Sequence, residues 1–177
     1  MKKQLTLLVA ALVLIFGFTP AFGADNKIGV IDFERILLES SAGKLGKEQL
    51  EKKKTDLTAK IQAEEQNLMN FQKSLEREFM LLSQEKKDEK QREFRIRVND
   101  FNKLKKDMTQ EMRAANQSFM AEMEKNVFLI AQELGKKEGY TLIIEKKIGG
   151  VIYRPDNIDL TDKVLKSFNE QVAKKAK

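Results

Sequence analysis

The side chains best placed to do chemistry are carboxylates and amines set four residues apart. Glu48/Lys52, Asp56/Lys60, Glu93/Arg97 and Glu133/Lys137 each put an acid one helical turn before a base. Two carboxylates sharing a cleft would suit general acid–base work, but these are opposite charges along exposed helix. Such pairs support a helix by about 0.2–0.5 kcal/mol each and form no paired-carboxylate site. The chain has no histidine and no cysteine. It therefore lacks the usual general base and the commonest metal ligand, and it has no thiolate or disulfide chemistry. No P-loop pattern occurs, and Gly149-Gly150 reads as a turn, not a phosphate cradle. No catalytic, cofactor or metal site is expected, and an enzyme is the least compatible class.

What remains is the chemistry of contact, and its geometry is set by long helices. No Gly or Pro occurs between Gly46 and Gly135, which permits very long helices. Leu50, Leu57 and Phe71 alternate with Ile61, Leu68, Leu75 and Leu82 at steps built from three and four. Phe94, Val98, Phe101, Met108, Met112, Ala115 and Phe119 form a second seam. After a stutter, Met123, Val127, Ile130 and Leu134 continue it. These are coiled-coil patterns. Met69, Met80 and Met120 fall outside the simple seam. The run Phe79–Leu82 is apolar all round the helix. Met is adaptable and common at promiscuous surfaces, so Met69, Phe79, Met80, Leu81 and Met120 are candidate contacts for a partner chain. Packing within the hairpin competes for the same residues, with Phe79 and Leu82 closing its end against Phe94 and Val98.

Between the seams, Ser83–Glu93 contains no apolar residue. Either one helix of about 90 residues runs straight for roughly 130 Å, or two antiparallel helices of about 55–60 Å fold at this charged stretch. The ends decide for folding. "KIGVIDF" at 27–33 reads as a strand, and "GYTLIIEKKIGGVIY" at 139–153 reads as a β-hairpin. A straight helix would hold them far apart with their apolar faces unsatisfied. A folded one lets them share a three-stranded sheet. A short helix is expected near Glu34–Ser40. After Pro155, Asp159 or Thr161 can cap a last helix, whose Leu160, Val164, Phe168 and Val172 form a stripe for the sheet. The basic tail from Lys174 suits a helix C-terminus.

Before all this, Lys2 and Lys3 precede an apolar run from Leu5 to Phe18, then Pro20 and Ala21-Phe22-Gly23. The run is shorter than the ~20 residues that span a bilayer. It reads as a signal peptide over 1–23, cleaved after Gly23. Removing two lysines takes the formal charge from +6 to +4. The chain divides into a body (24–46 and 134–177) and a helical-hairpin arm (47–133). The class is α+β. A body of about 65 residues is a small core, and its sheet is apolar on both faces. Association through the remaining apolar surface is the expected remedy. Ile28, Val30, Ile31, Leu142, Ile144 and Val151 are the expected body and subunit-contact residues.

This order resembles the Skp (OmpH-like) family of periplasmic chaperones. The matching stretches are "KIGVIDFERIL" at 27–37, "YTLIIE" at 140–145, "VIY" at 151–153 and "IDLTDKVLKSFN" at 158–169. The resemblance implies a homotrimer with three tentacles around a cavity. It implies a holdase that works without ATP, keeps unfolded outer-membrane proteins from aggregating, and delivers them for assembly. The arms here are charge-mixed, so no basic lipid site is carried over residue by residue. Net positive charge would still favour acidic clients or anionic lipid headgroups. The alternative function is a structural or adaptor coiled coil of the envelope with a fixed partner. Nucleic-acid binding fits poorly, because export and interspersed acids argue against it despite a pI near 9.3.

Overall fold

A computed structural model describes residues 26–175; the expected signal peptide lies outside them. Strand β1 (Ile28–Ile31) leads into helix α1 (Phe33–Glu39), the long helix α2 (Ser41–Glu78), a 3₁₀ turn (Phe79–Leu81) and the longer helix α3 (Gln84–Glu138). Strand β2 (Leu142–Glu145), a second 3₁₀ turn (Asp156–Ile158) and helix α4 (Thr161–Lys175) complete the order.

Each of the first three helices starts on a side chain that accepts from its first turn. Asp32 accepts from the Arg35 amide, Ser40 from Gly43 and Ser83 from Lys86. α3 ends on Gly139 at φ +72°, where the left-handed turn suits glycine. The Tyr140 amide then bonds back to the Gly135 carbonyl.

The doubled-back chain is borne out, with one correction. The turn falls at Phe79–Ser83, ending on the first residue of the charged stretch and not within the rest of it. Ser83 caps α3, so the charged residues become its first turns. Their acids, Glu85 among them, complement the helix N-terminus. α2 has 38 residues and α3 has 55. At 1.5 Å per residue they are about 57 and 82 Å long, α3 exceeding the expected length because it continues into the body.

The expected three-stranded sheet is also corrected. β1 and β2 form a two-stranded parallel sheet, Ile28 opposite Leu142 and Ile31 opposite Glu145. Val151–Tyr153 is not a strand. Residues 145–151 close a tight turn, with the Gly149 amide on the Glu145 carbonyl and the Val151 amide on the Lys146 carbonyl. The Glu145 carboxylate takes the Ile148 amide at 2.6 Å. Gly149 sits against the Ile144 side chain, where a Cβ would come within 2.2 Å. The chain therefore leaves β2 instead of folding back beside it. It then crosses to the other edge of β1, where Asp159 bridges Val30 and the Leu160 amide donates to the Val30 carbonyl.

The core lies where α1, α3 and α4 meet the sheet. It comprises Ile31, Ile36, Met123, Val127, Ile130, Leu160, Val164 and Phe168, with Val172 half-buried at its rim. The expected α4 stripe therefore does pack inward.

Candidate functional surfaces

Four surfaces leave apolar or polar groups without a partner among the described residues. The first is the arm's tip. Met80 and Leu81 are 86% and 87% exposed, because a three-residue 3₁₀ turn has no opposite helix to lie against. Phe79 is half-covered, with the Lys87 ammonium 5.0 Å from its ring.

The second is the shaft. Phe71 and Phe94 stack at 6.4 Å, and the Arg97 guanidinium lies 4.3 Å from the Phe71 ring. Two helices cannot enclose an aromatic pair, so cations cover what the seam leaves open. Met69 is exposed here. Of the four expected acid–base pairs, Glu93–Arg97 closes at 2.7 Å. The other three form no ion pair among the described residues. Arg97 and Lys90 hold the Glu93 carboxyl below its usual range. Lys53–Glu111, at 2.8 Å, ties α2 to α3.

The third is the root, where the arm enters the body. Gly46 packs directly on the Phe119 ring; a Cβ there would lie 2.0 Å from it. On one side of this contact runs an apolar groove of about 530 Å³, lined by Leu37, Leu38, Leu50, Phe119 and Met120. Met120, expected as a partner contact because it lies off the seam, is a half-buried wall of this groove. Leu38 and Leu45 are exposed around this root. Sequence reasoning passed over both, although the doublet Leu37-Leu38 on a seven-residue helix signals one leucine too many for a single buried face.

The fourth is the free edge of β2. The amides of Leu142 and Lys146 point to the β1 side, donating to the carbonyls of Lys27 and Ile31. Alternation along a strand therefore turns the Ile143 amide and carbonyl to the opposite edge, where no strand lies among the described residues. Around it Ile28, Leu142, Ile148, Ile152 and Tyr153 are exposed, Ile152 completely. Of the expected body residues, Val30 and Ile31 are buried in the chain's own core. Ile28 and Leu142 are exposed, and Ile144 and Val151 are half-buried.

Carboxylates brace the body beneath these surfaces. Burial pushes the Asp32 carboxyl up, but its bonds from Lys146 and the Arg35 amide outweigh this and hold it below the usual range. Asp159 behaves alike: burial raises it, while Thr161 and Arg154 bring it below its ordinary value. Asp159 thereby fixes both the start of α4 and the end of the 151–154 segment. Among the described residues no group of acids is arranged to hold a metal ion.

The comparisons agree with this architecture. The sequence signature of the outer membrane proteins of OmpH-like type matches residues 27–168. A curated relative, the "Skp-like protein" of Pseudomonas aeruginosa strain PAO1, is 26% identical over 167 residues, covering 94% of this chain and 96% of its own. A crystal structure from Caulobacter crescentus CB15, described as a "putative outer membrane chaperone (OmpH-like)", superposes with a TM-score of 0.76. It is 16% identical and shares the fold over 88% of this chain and 91% of its own. With the signature spanning strand, arm, second strand and last helix, the chain belongs to the OmpH-like family.

Proposed function

We propose that the protein is an ATP-independent holdase of the periplasm that binds unfolded outer-membrane proteins between its arms and hands them on for assembly. As a member of the OmpH-like family it is a chaperone and not an enzyme. The observation that carries the finer reading is the placing of uncovered apolar side chains at both ends of a long arm. Met80 and Leu81 stand at the tip, and Leu38 and Leu45 stand around the root, where half-buried Met120 walls an open groove. An unfolded barrel protein exposes apolar strands and aggregates readily. Spaced, shallow, flexible contacts suit reversible gripping with little sequence preference. No nucleotide-driven cycle is needed, and release follows when the client folds or inserts.

Assembly as a homotrimer is part of the proposal. The free β2 edge and exposed Ile148, Ile152 and Tyr153 support it, since unpaired strand edges and apolar surface are costly to leave in water. Three arms around one cavity would add weak contacts through effective concentration. Anionic lipid remains a further partner of such a basic chain.

The test is dilution of a urea-unfolded outer-membrane barrel into buffer with and without excess protein, followed by light scattering. Suppressed scattering is expected. Unchanged scattering would reject the holdase and favour the envelope adaptor. Sedimentation should give three times the chain mass.

A further inference from the structure

The cations of α3 divide into two sets. Between residues 86 and 113, six are engaged: Lys86 with Glu89, Lys90 and Arg97 with Glu93, Lys103 with Asp107, Lys87 over Phe79 and Lys105 over Phe101. The remaining four are Arg92, Arg95, Lys106 and Arg113. All are exposed, and none contacts a carboxylate or a ring among the described residues. Their positions are not scattered. Arg92, Asn99, Lys106 and Arg113 recur every seven residues, so they follow one line along the helix. The seam residues Phe94, Phe101 and Met108 recur at the same period. Each stands five residues before a member of the line, so the line is turned about 140° from the face packed on α2.

The neighbouring lines carry the same character. Arg95, Asn102, Thr109 and Asn116 flank it on the side that borders α2, where Thr109, Arg113 and Asn116 edge a groove beside Leu57 and Ile61; Ile96, Lys103, Gln110 and Gln117 flank it on the other. No Asp or Glu occupies these three lines from Arg92 to Gln117. The acids Glu93, Asp100 and Asp107 are kept to a separate line beyond them. The outward face of α2 differs, carrying Thr55, Ala59, Gln62, Gln66 and Asn70 over its middle.

We propose that this outward face of α3 is a docking strip for acidic, extended segments of an unfolded client polypeptide, with Arg92, Arg95, Lys106 and Arg113 as its anchors. The inference rests on the holdase reading above. The four cations are hydrated and pair with no carboxylate among the described residues, so they are free to meet an anionic partner. The Asn and Gln side chains between them both donate and accept, which matches the unpaired amides and carbonyls of an unfolded backbone. Arginine forks pair with carboxylates in bidentate fashion. Arg92 to Arg113 spans about 32 Å, which about nine residues of extended peptide would cover. An anionic bilayer is the poorer complement. A helix lying in a membrane interface needs an apolar face beside its cations, and Ile96 is the one large apolar side chain along this strip.

The quadruple variant R92Q/R95Q/K106Q/R113Q tests this, glutamine keeping a helix propensity close to that of arginine. Two urea-unfolded clients are titrated against wild type and variant by fluorescence. One is an acidic barrel protein; the other is the same protein with its Asp and Glu changed to Asn and Gln. The variant should bind the acidic client about tenfold more weakly, four exposed charge contacts being lost. It should bind the neutralised client as wild type does. Raising the salt should weaken wild type towards the variant. Equal affinities for the acidic client, or equal losses for both clients, would overturn the strip. So would loss of binding to phosphatidylglycerol vesicles with acidic-client binding intact. Circular dichroism and sedimentation establish that the variant keeps its helices and assembly. Because wild-type scattering suppression is measured separately, the strip can fail while the holdase stands.

Discussion

In the body core, Ile36 and Val164 are wholly buried, joined by Val127 from the stretch of α3 that roots the arm, whereas farther out along the arm Leu57 and Met108 alone among the described residues reach core-like burial, and each keeps a little exposure. The difference follows from the number of layers. In the body, three helices and a sheet surround each side chain. In the arm, two helices meet along one seam, and every seam residue has solvent at its flank. The arm makes up the deficit with cations over aromatic rings and exposed ion pairs, which contribute little each. The body holds its shape by packing. The arm keeps adaptable side chains within reach of a partner.

The sharpest way to break this comparison is to cut matching holes in both regions. Phe168→Ala in the body should cost about 3–5 kcal/mol in urea unfolding followed by circular dichroism. Leu57→Ala in the arm should cost only about 2 kcal/mol, because two helices can close over the hole. Equal losses would mean that the arm is packed as tightly as the body. Gly46→Ala probes the junction. Its new methyl meets the Phe119 ring, and overpacking of this kind should cost about 1–3 kcal/mol. Faster amide exchange should then appear around residues 42–50 and 115–123, leaving the tip unchanged.

Acid should separate the two regions further. The carboxyls of Asp32 and Asp159 lie below their ordinary values in the folded body. The unfolded chain therefore binds more protons in that window, and the stability these groups add is present above about pH 4. It is lost as the pH falls through their folded values. Asp32→Asn should flatten the decline of stability below about pH 4, read as the urea midpoint against pH. The lowered carboxyls of the arm, such as Glu93 and Glu111, are more open to solvent, which screens their pairing, and Glu93→Gln should change that profile much less. The smallest effect on stability is expected at the tip. M80S/L81S should change it by less than about 0.5 kcal/mol while weakening suppression of client aggregation several-fold.

Much of this was readable in advance where a single local rule dominates. The absence of Gly and Pro between Gly46 and Gly135 announced the arm, and Leu160, Val164 and Phe168 announced the face that α4 buries. Two elements were misread for physical reasons. The β-branched run Val151–Tyr153 has strand propensity. The side-chain and backbone bonds of Glu145 nonetheless wind the preceding residues into a turn that sends it elsewhere. Phe79–Leu82 looked like helix because it is apolar, and the charged stretch looked like a loop because it is not. The Ser83 cap reverses both readings. The strip on α3 was hidden because net composition averages over faces. Lys and Glu alternate along the linear chain, yet they separate onto different lines once the seam fixes which way the helix is turned.

The continuity of α3 has a mechanical consequence. It is one uninterrupted helix from the Ser83 cap to Gly139, and β2 begins three residues later. Under the proposed holdase reading, cargo that tugs sideways on the far end of this lever would apply torque about the close Gly46–Phe119 contact. The short end of the lever carries the strand edge, so on that reading strain from a captured chain would reach the seat where neighbouring copies would join.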